Sequence, residues 1–556
     1  MKHRLVFVAL LGTFTVACKR ETPPPAIQLV SEPPVAAPAT LTAEGTLRDP
    51  DAFWSRIRAG GGPSLTDAPS TAAGALLLVA GCDPTLGSLI SGAEPFYVAI
   101  GDAPKGTAFA IAMKIQDFAA AQSALAGADA GYRGEQVGGM LHLVPLTGSE
   151  PVAVGVTGSG YLVLASSVDD LGTLGAYAAR TLPTKASPSA SLELRMVPAA
   201  LDRTGAGAPA LAAKLVAVLA AGMRGSLPPE VDAQAVAACF TSSIETAAAS
   251  FGDLAEARVD VTAEDAEVHA TATLVPKPGD NSAKRRVSAM HPGDVTPLLT
   301  SPRDALASFF WSDTAADRAS DVKTIGPCIG RALGAVLGND GESKLDDVLG
   351  SWARGRGDWE TMAIVTKDPA AGLIAQAPVA NGEDLSHALR SFVSLAAQPS
   401  VQDAIRRFLP PRAGALETVE VPRVGKVSVM MFNPTLIPSH SEDAAPEVST
   451  MAPPGLAWLV GAKEVDLGLG FSPQALIGFT HPVDPLGADA LTSRAVHGIR
   501  EGSFAAVFRP PGCCGGGRPG AGPLTVAWGR AGTNASGSLA VGDELVGILA
   551  GRAAGH

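Results

Sequence analysis

Few residues in this chain are spaced for chemistry. Adjacent thiols, Cys513 and Cys514, stand in RPPGCCGGGRPGAG (residues 509–522). A zinc site needs about four ligands, and the nearest histidine, His497, is 16 residues away. A bond between the two is awkward, because consecutive Cα atoms lie about 3.8 Å apart while bridged cysteines usually hold theirs roughly 4.4–6.8 Å apart. The expectation is a glycine-rich loop. His440 keeps company with Glu442, Asp443 and Glu447, but the alternating oxygen ligands of a calcium loop are missing. His142 and His269 fall in strand-like stretches and read as structural. The sequence has no GxxxxGK[ST], GxSxG or HExxH pattern. No catalytic residue, metal ligand or cofactor site is therefore assigned.

The remaining reactive residue is Cys18, in MKHRLVFVALLGTFTVACKRE. Lys2 and Arg4 precede an apolar run that ends in small residues, the pattern of a secretory signal. The ending Thr15-Val16-Ala17-Cys18 resembles the lipobox of bacterial lipoprotein precursors, with threonine where that family usually carries leucine. The resemblance implies a signal peptide over 1–17, cleavage before Cys18, and acylation of its thiol. Its membrane partner would then be reached through an N-terminal lipid in the bacterial cell envelope. Residues 18–47 are proline-rich, favouring an extended tether over a packed core. Removing the signal leaves 42 − 2 = 40 basic residues against 54 acidic ones. That balance argues against nucleic acid as a partner.

An exported chain meets an oxidising compartment, where thiols pair. Beyond Cys18 the cysteines are Cys82, Cys239, Cys328, Cys513 and Cys514. Cys239 and Cys328 both fall on helix-like stretches and are the expected disulfide pair.

The elements that would carry these residues repeat along the chain. Ala99-Ile100 matches Ala363-Ile364, and Ala124-Leu125 matches Ala388-Leu389, both 264 residues on. Residues 139–146 face 425–432 at an offset of 286, 161–171 face 466–476 at 305, and 191–198 face 503–510 at 312. Residues 257–275 resemble 524–541 at about 267, and FWS recurs at 53–55 and 310–312. Within the first copy, 96–101 and 107–115 alternate as a hairpin, 116–128 has helical spacing, and 257–275 forms another hairpin. The expected fold is α+β: two tandem, internally duplicated antiparallel sheets, helices covering one face, with a ferredoxin-like variant as one form this could take. The first unit spans 48–276 with a helical insertion at 199–256, read as two helices. A linker follows at 277–297, and the second unit spans 298–556.

The functional expectation is a non-enzymatic binding or structural role in the envelope, with a protein, glycan or lipid partner. An envelope hydrolase assembled from residues distant in sequence is the alternative.

Overall fold

The computed structural model describes residues 32–508 and 524–542 apart from interior stretches, of which the longest are 402–412, 433–454 and 471–484. Cys18, His440, Cys513 and Cys514 lie outside the described residues.

The first half opens with β1 (Leu41–Leu47), α1 (Pro50–Gly61) and α2 (Ala72–Val79), then the hairpin β2 (Phe96–Ala103) and β3 (Gly106–Lys114). Next comes α3 (Phe118–Ala126), where Asp117 accepts from the amides of Ala119 and Ala120 at 3.0 Å each. That carboxylate satisfies amides that a helix start leaves without an internal partner. The strands β4 (Tyr132–Val137), β5 (Met140–Pro145), β6 (Ala153–Val156) and β7 (Tyr161–Ala165) form a meander. Ser167 caps α4 (Val168–Asp170), which runs through a π turn into α5 (Ala176–Arg180). After β8 (Leu192–Met196), the insertion holds four helices rather than two: α6 (Pro198–Ala206), α7 (Ala208–Met223), α8 (Ala233–Ala238) and α9 (Thr241–Ala249). The long hairpin of β9 (Leu254–Glu264) and β10 (Glu267–Pro276) ends the half.

The connecting segment is structured, with α10 (Ser282–Ala289) and β11 (Gly293–Asp294). The second half follows as β12 (Ala305–Ser312), α11 (Ala315–Ala332), α12 (Gly334–Leu337) and α13 (Gly341–Gly355), then β13 (Trp359–Val365), β14 (Gly372–Pro378) and α14 (Gly382–Ala396). Its meander is β15 (Ala413–Val421), β16 (Gly425–Phe432), β17 (Gly455–Val460) and β18 (Glu464–Gly470). It closes with β19 (Glu501–Gly502), β20 (Phe504–Phe508), β21 (Leu524–Ala531) and β22 (Asn534–Val541).

Twenty of these strands make one sheet. Its order in the first half is β4-β5-β6-β7-β3-β2-β1-β8-β9-β10. It crosses from β10 to β22 and continues β22-β21-β20-β12-β13-β14-β18-β17-β16-β15. Read outward from the junction, the two orders correspond strand for strand.

The registers correspond too. Glu44 pairs with Ala99 and Arg195, as Ser308 pairs with Ala363 and Val507, which gives offsets of 264 and 312. Val259 pairs with Ala272, as Val526 pairs with Leu539, an offset of 267 in both strands. Ala110 pairs with Ala165 and Ile374 with Gly468, so that strand is offset by 303, two residues less than the sequence match suggests. The FWS match is fortuitous, because residues 53–55 lie in α1 while 310–312 end β12.

Two further expectations are revised. Leu41–Leu47, placed in the tether, is an interior strand. All named pairings among the described residues are antiparallel. Helices also cover both faces of the first half. On one face α5 buries Tyr177, Ala178 and Ala179 with Ala110, Ala112 and Val163. On the other, α2 and α3 bury Leu77 and Leu125 with Met113, Leu141 and Leu164. Residues 162–165 of β7 are accordingly buried without alternation, as strands covered on both sides are.

The insertion is tied to the second half. Val231 and Val236 pack with Val336, Leu337 and Leu395. Beside them the sulfurs of Cys239 and Cys328 are bonded, with Cα atoms 5.6 Å apart and 89 residues between them. Closing a loop of that length stabilises by roughly 4.6 kcal/mol in the chain-entropy model. Replacing both cysteines by alanine is expected to lower the unfolding free energy from denaturant titration by about that amount and leave the far-UV dichroism of the folded protein unchanged.

Candidate functional site

The chain leaves β1 at Leu47 and turns into α1, and the space between α1 and α2 stays open. A cavity of about 260 Å³ lies there. Leu47 supplies its floor, and α1 contributes Pro50, Phe53 and Trp54. From α2 come Ala72, Ala75, Leu76 and Val79, whose spacing of three and four residues puts them on one helix face. The polar groups nearest this lining are committed elsewhere. The Trp54 indole donates to the Pro69 carbonyl at 2.8 Å, and the Asp51 carboxylate accepts from the Ala72 amide at 2.8 Å. Thr71 caps α2 by accepting from the Gly74 amide at 3.1 Å. Gly74 and Gly87 let α2 sit on the 3₁₀ turn Pro84–Leu89, since a Cβ on Gly87 would fall 2.5 Å from the Gly74 nitrogen. Leu78 and Val79 stand at the rim, 39% and 60% exposed.

The second half fills the matching place with charge. By strand register, Leu47 and its partner Phe96 correspond to Trp311 and its partner Glu360, 264 residues on. Arg356 donates to Asp313 at 2.6 Å and lies 3.1 Å from Glu360. Arg318 donates to Asp313 at 2.7 Å and to the carbonyls of Ala353 and Arg356 at 2.8 and 3.1 Å. Thr314 and Asp317 hold the start of α11 in a capping box, which sets Arg318 over the strand ends. Arg318, Arg356 and Glu360 are all buried. Burial pushes the Glu360 carboxyl up to about 7, against the pull of Arg356 and of indole hydrogen bonds from Trp352 and Trp311, with the Asp313 charge adding to the rise. Burial, together with Asp313 and Asp317, likewise raises Asp321. The cluster spends its donors on its own acceptors, which is how a charge network survives burial.

Among the described residues one Ser–His–Asp grouping stands between α13 and α14. Ser391 and His387 both bond to Asp347, His387 at 3.1 Å. The carboxylate is therefore central, and the imidazole does not stand between serine and aspartate as a nucleophile's base must. The Ser391 hydroxyl and His387 hold the Asp347 carboxyl below its ordinary value. This grouping clamps two helices on the surface.

Elsewhere, α7 buries Ala212, Val216 and Ala220 but exposes Leu215, Val218 and Leu219 at 43%, 68% and 43%. The middle of the sheet carries a charge ladder in which Arg258 meets Asp260 at 2.9 Å and His269 meets Glu267 at 3.0 Å. His142 is buried in β5. Among the described residues no His, Cys, Asp and Glu group could hold a metal ion, and no single helix is long and apolar enough to cross a membrane. Nothing in the residue types of α1 and α2 singled out the cavity. The signal available was the apolar run Ala72–Val79 beside two aromatics, which reads equally as core.

Comparison with protein-family models, with curated proteins and with solved structures found no match to this chain.

The Glu360 shift has a measurable sign. The fold holds this proton more tightly than the unfolded chain, whose carboxyl titrates near 4.5. Its contribution is full below that pH and is lost as pH rises to about 7, by roughly 3 kcal/mol. Glu360→Gln is expected to flatten that loss, read as unfolding midpoints across pH 4.5 to 7.5.

Proposed function

We propose that this chain is a bacterial cell-envelope lipoprotein, anchored through acylated Cys18, with a non-enzymatic binding role exercised by its first half. The two halves are read as copies of one ancestral unit. Supporting that reading are the matching strand order and the shared offset of 267 on both sides of the junction, where Thr271 pairs with Ser538, also 267 residues apart. The cavity carries the binding reading. Its walls are carbon and its neighbouring polar groups are committed within the protein, so it suits retention of an apolar group rather than its chemical alteration. A lipid-type ligand fits such walls better than a glycan, whose hydroxyls would find no partners there.

Metabolic labelling with a palmitate analogue tests the anchor. Label is expected on the wild-type protein and lost on Cys18→Ala, and globomycin should cause the unprocessed precursor to accumulate. An unlabelled wild-type protein, recovered free of the membrane, would sink the lipoprotein assignment. Extraction of the protein purified from its native envelope is expected to release a hydrocarbon-bearing molecule, detected by mass spectrometry.

A further inference from the structure

We infer that the α1–α2 cavity takes the alkyl tail of a fatty carboxylate, with Arg58 receiving the head group. The inference rests on the binding role proposed above and names its ligand class.

The volume sets the tail. An apolar cavity of about 150 Å³ stays dry and admits benzene; this one measures about 260 Å³. At roughly 30 Å³ for each water-sized group, it accommodates about eight or nine such groups. Trp54 and Asp51 are already bonded within the protein, so the lining offers a head group nothing and the head must lie outside it.

Charge sets the head. Arg58 follows Trp54 by one turn on the same face of α1. It is half-buried, and its Nε is shielded from solvent with no hydrogen-bond partner. Among the described residues the guanidinium has no ion pair either. Covering a guanidinium without an acceptor is costly, and a carboxylate is the group whose two oxygens match its donors. An apolar slot and, one turn away, a guanidinium whose shielded Nε lacks an acceptor describe an anionic amphiphile. A neutral lipid would leave Arg58 as it is, and a cationic one would be repelled. In the second half Glu360 and its arginines occupy the matching place.

The test is calorimetric titration of the mature chain produced from residue 19 onward, which carries neither the signal nor the acylated cysteine and keeps detergent out of the cell, with octanoate and with octanol. One octanoate per chain is expected. Arg58→Gln should weaken octanoate about tenfold, the loss of one charge-assisted contact, while changing octanol affinity less than twofold. Ala75→Trp should abolish both. As a readout on the unfilled cavity, a brominated octanoate should quench tryptophan emission, and Trp54→Phe should remove that quenching. Failure of octanoate to bind, binding that survives Ala75→Trp, or an affinity indifferent to Arg58→Gln overturns the inference. A hydrocarbon-bearing molecule still recovered from the envelope-purified protein would leave the broader binding role standing.

Discussion

The ladder between β10 and β22 is the constraint on which the rest of the molecule depends. Residues 268–274 pair antiparallel with 535–541, and the hydrogen bonds of that ladder turn two ten-strand sheets into one. Without it each half would present an unpaired edge several residues long, the kind of edge that invites uncontrolled association. The register is held by side-chain alternation. Val268, Ala270, Ala272 and Leu274 oppose Val541, Leu539, Gly537 and Ala535, while Thr271 and Thr273 oppose Ser538 and Ser536 on the other face. A slip of one residue would set hydroxyls against the apolar row, so the joint is specified as well as strong. The remaining edges, β4 and β15, lie at the far ends. At the first of them Arg133 and Glu135 supply charge.

Around that joint, one frame is filled in two ways. In each half the first strand leads directly into a helix. In the first half the residues beneath are Leu47 and Phe96, and the layer stays open enough to leave a cavity. In the second half Trp311 and Glu360 hold the same register positions, and two buried arginines close the layer. Dispersion and apolar burial stabilise the first arrangement without demanding direction. The second demands that every charge find its partner, since a buried ion left alone costs several kcal/mol. A cavity is tolerated where only carbon lines it, and it is filled where charge must be satisfied.

Much of the fold was legible in local pattern. The β2–β3 and β9–β10 hairpins, the α3 helix and the serine-capped start of α4 follow from alternation, helical spacing and capping chemistry, all of which act within a few residues. The offsets of 264, 312 and 267 reappear as strand register, because paired strands preserve spacing over long stretches. Where pattern failed, context had overridden it. Leu41–Leu47 reads as the end of a proline-rich leader, and only its pairing with β2 and β8 makes it a strand. The FWS match joined a helix to a strand because three residues carry no period. Helices on both faces were missed because a small, alanine-rich strand looks alike whether one side or two are covered.

What the sequence determined by itself is what local chemistry determines: the lipobox-like start that motivates the anchor, the α+β character, the acidic balance, and the order of most elements in the first half. The cavity, the buried arginine cluster, the central position of Asp347 between Ser391 and His387, and the joining of β10 to β22 were decided by tertiary structure alone. The physical reason is distance along the chain. Trp54 meets Pro69, Arg318 meets Arg356 and Thr271 meets Ser538 only when packing and loop closure bring them together, and no local propensity records which of the available partners a side chain will find.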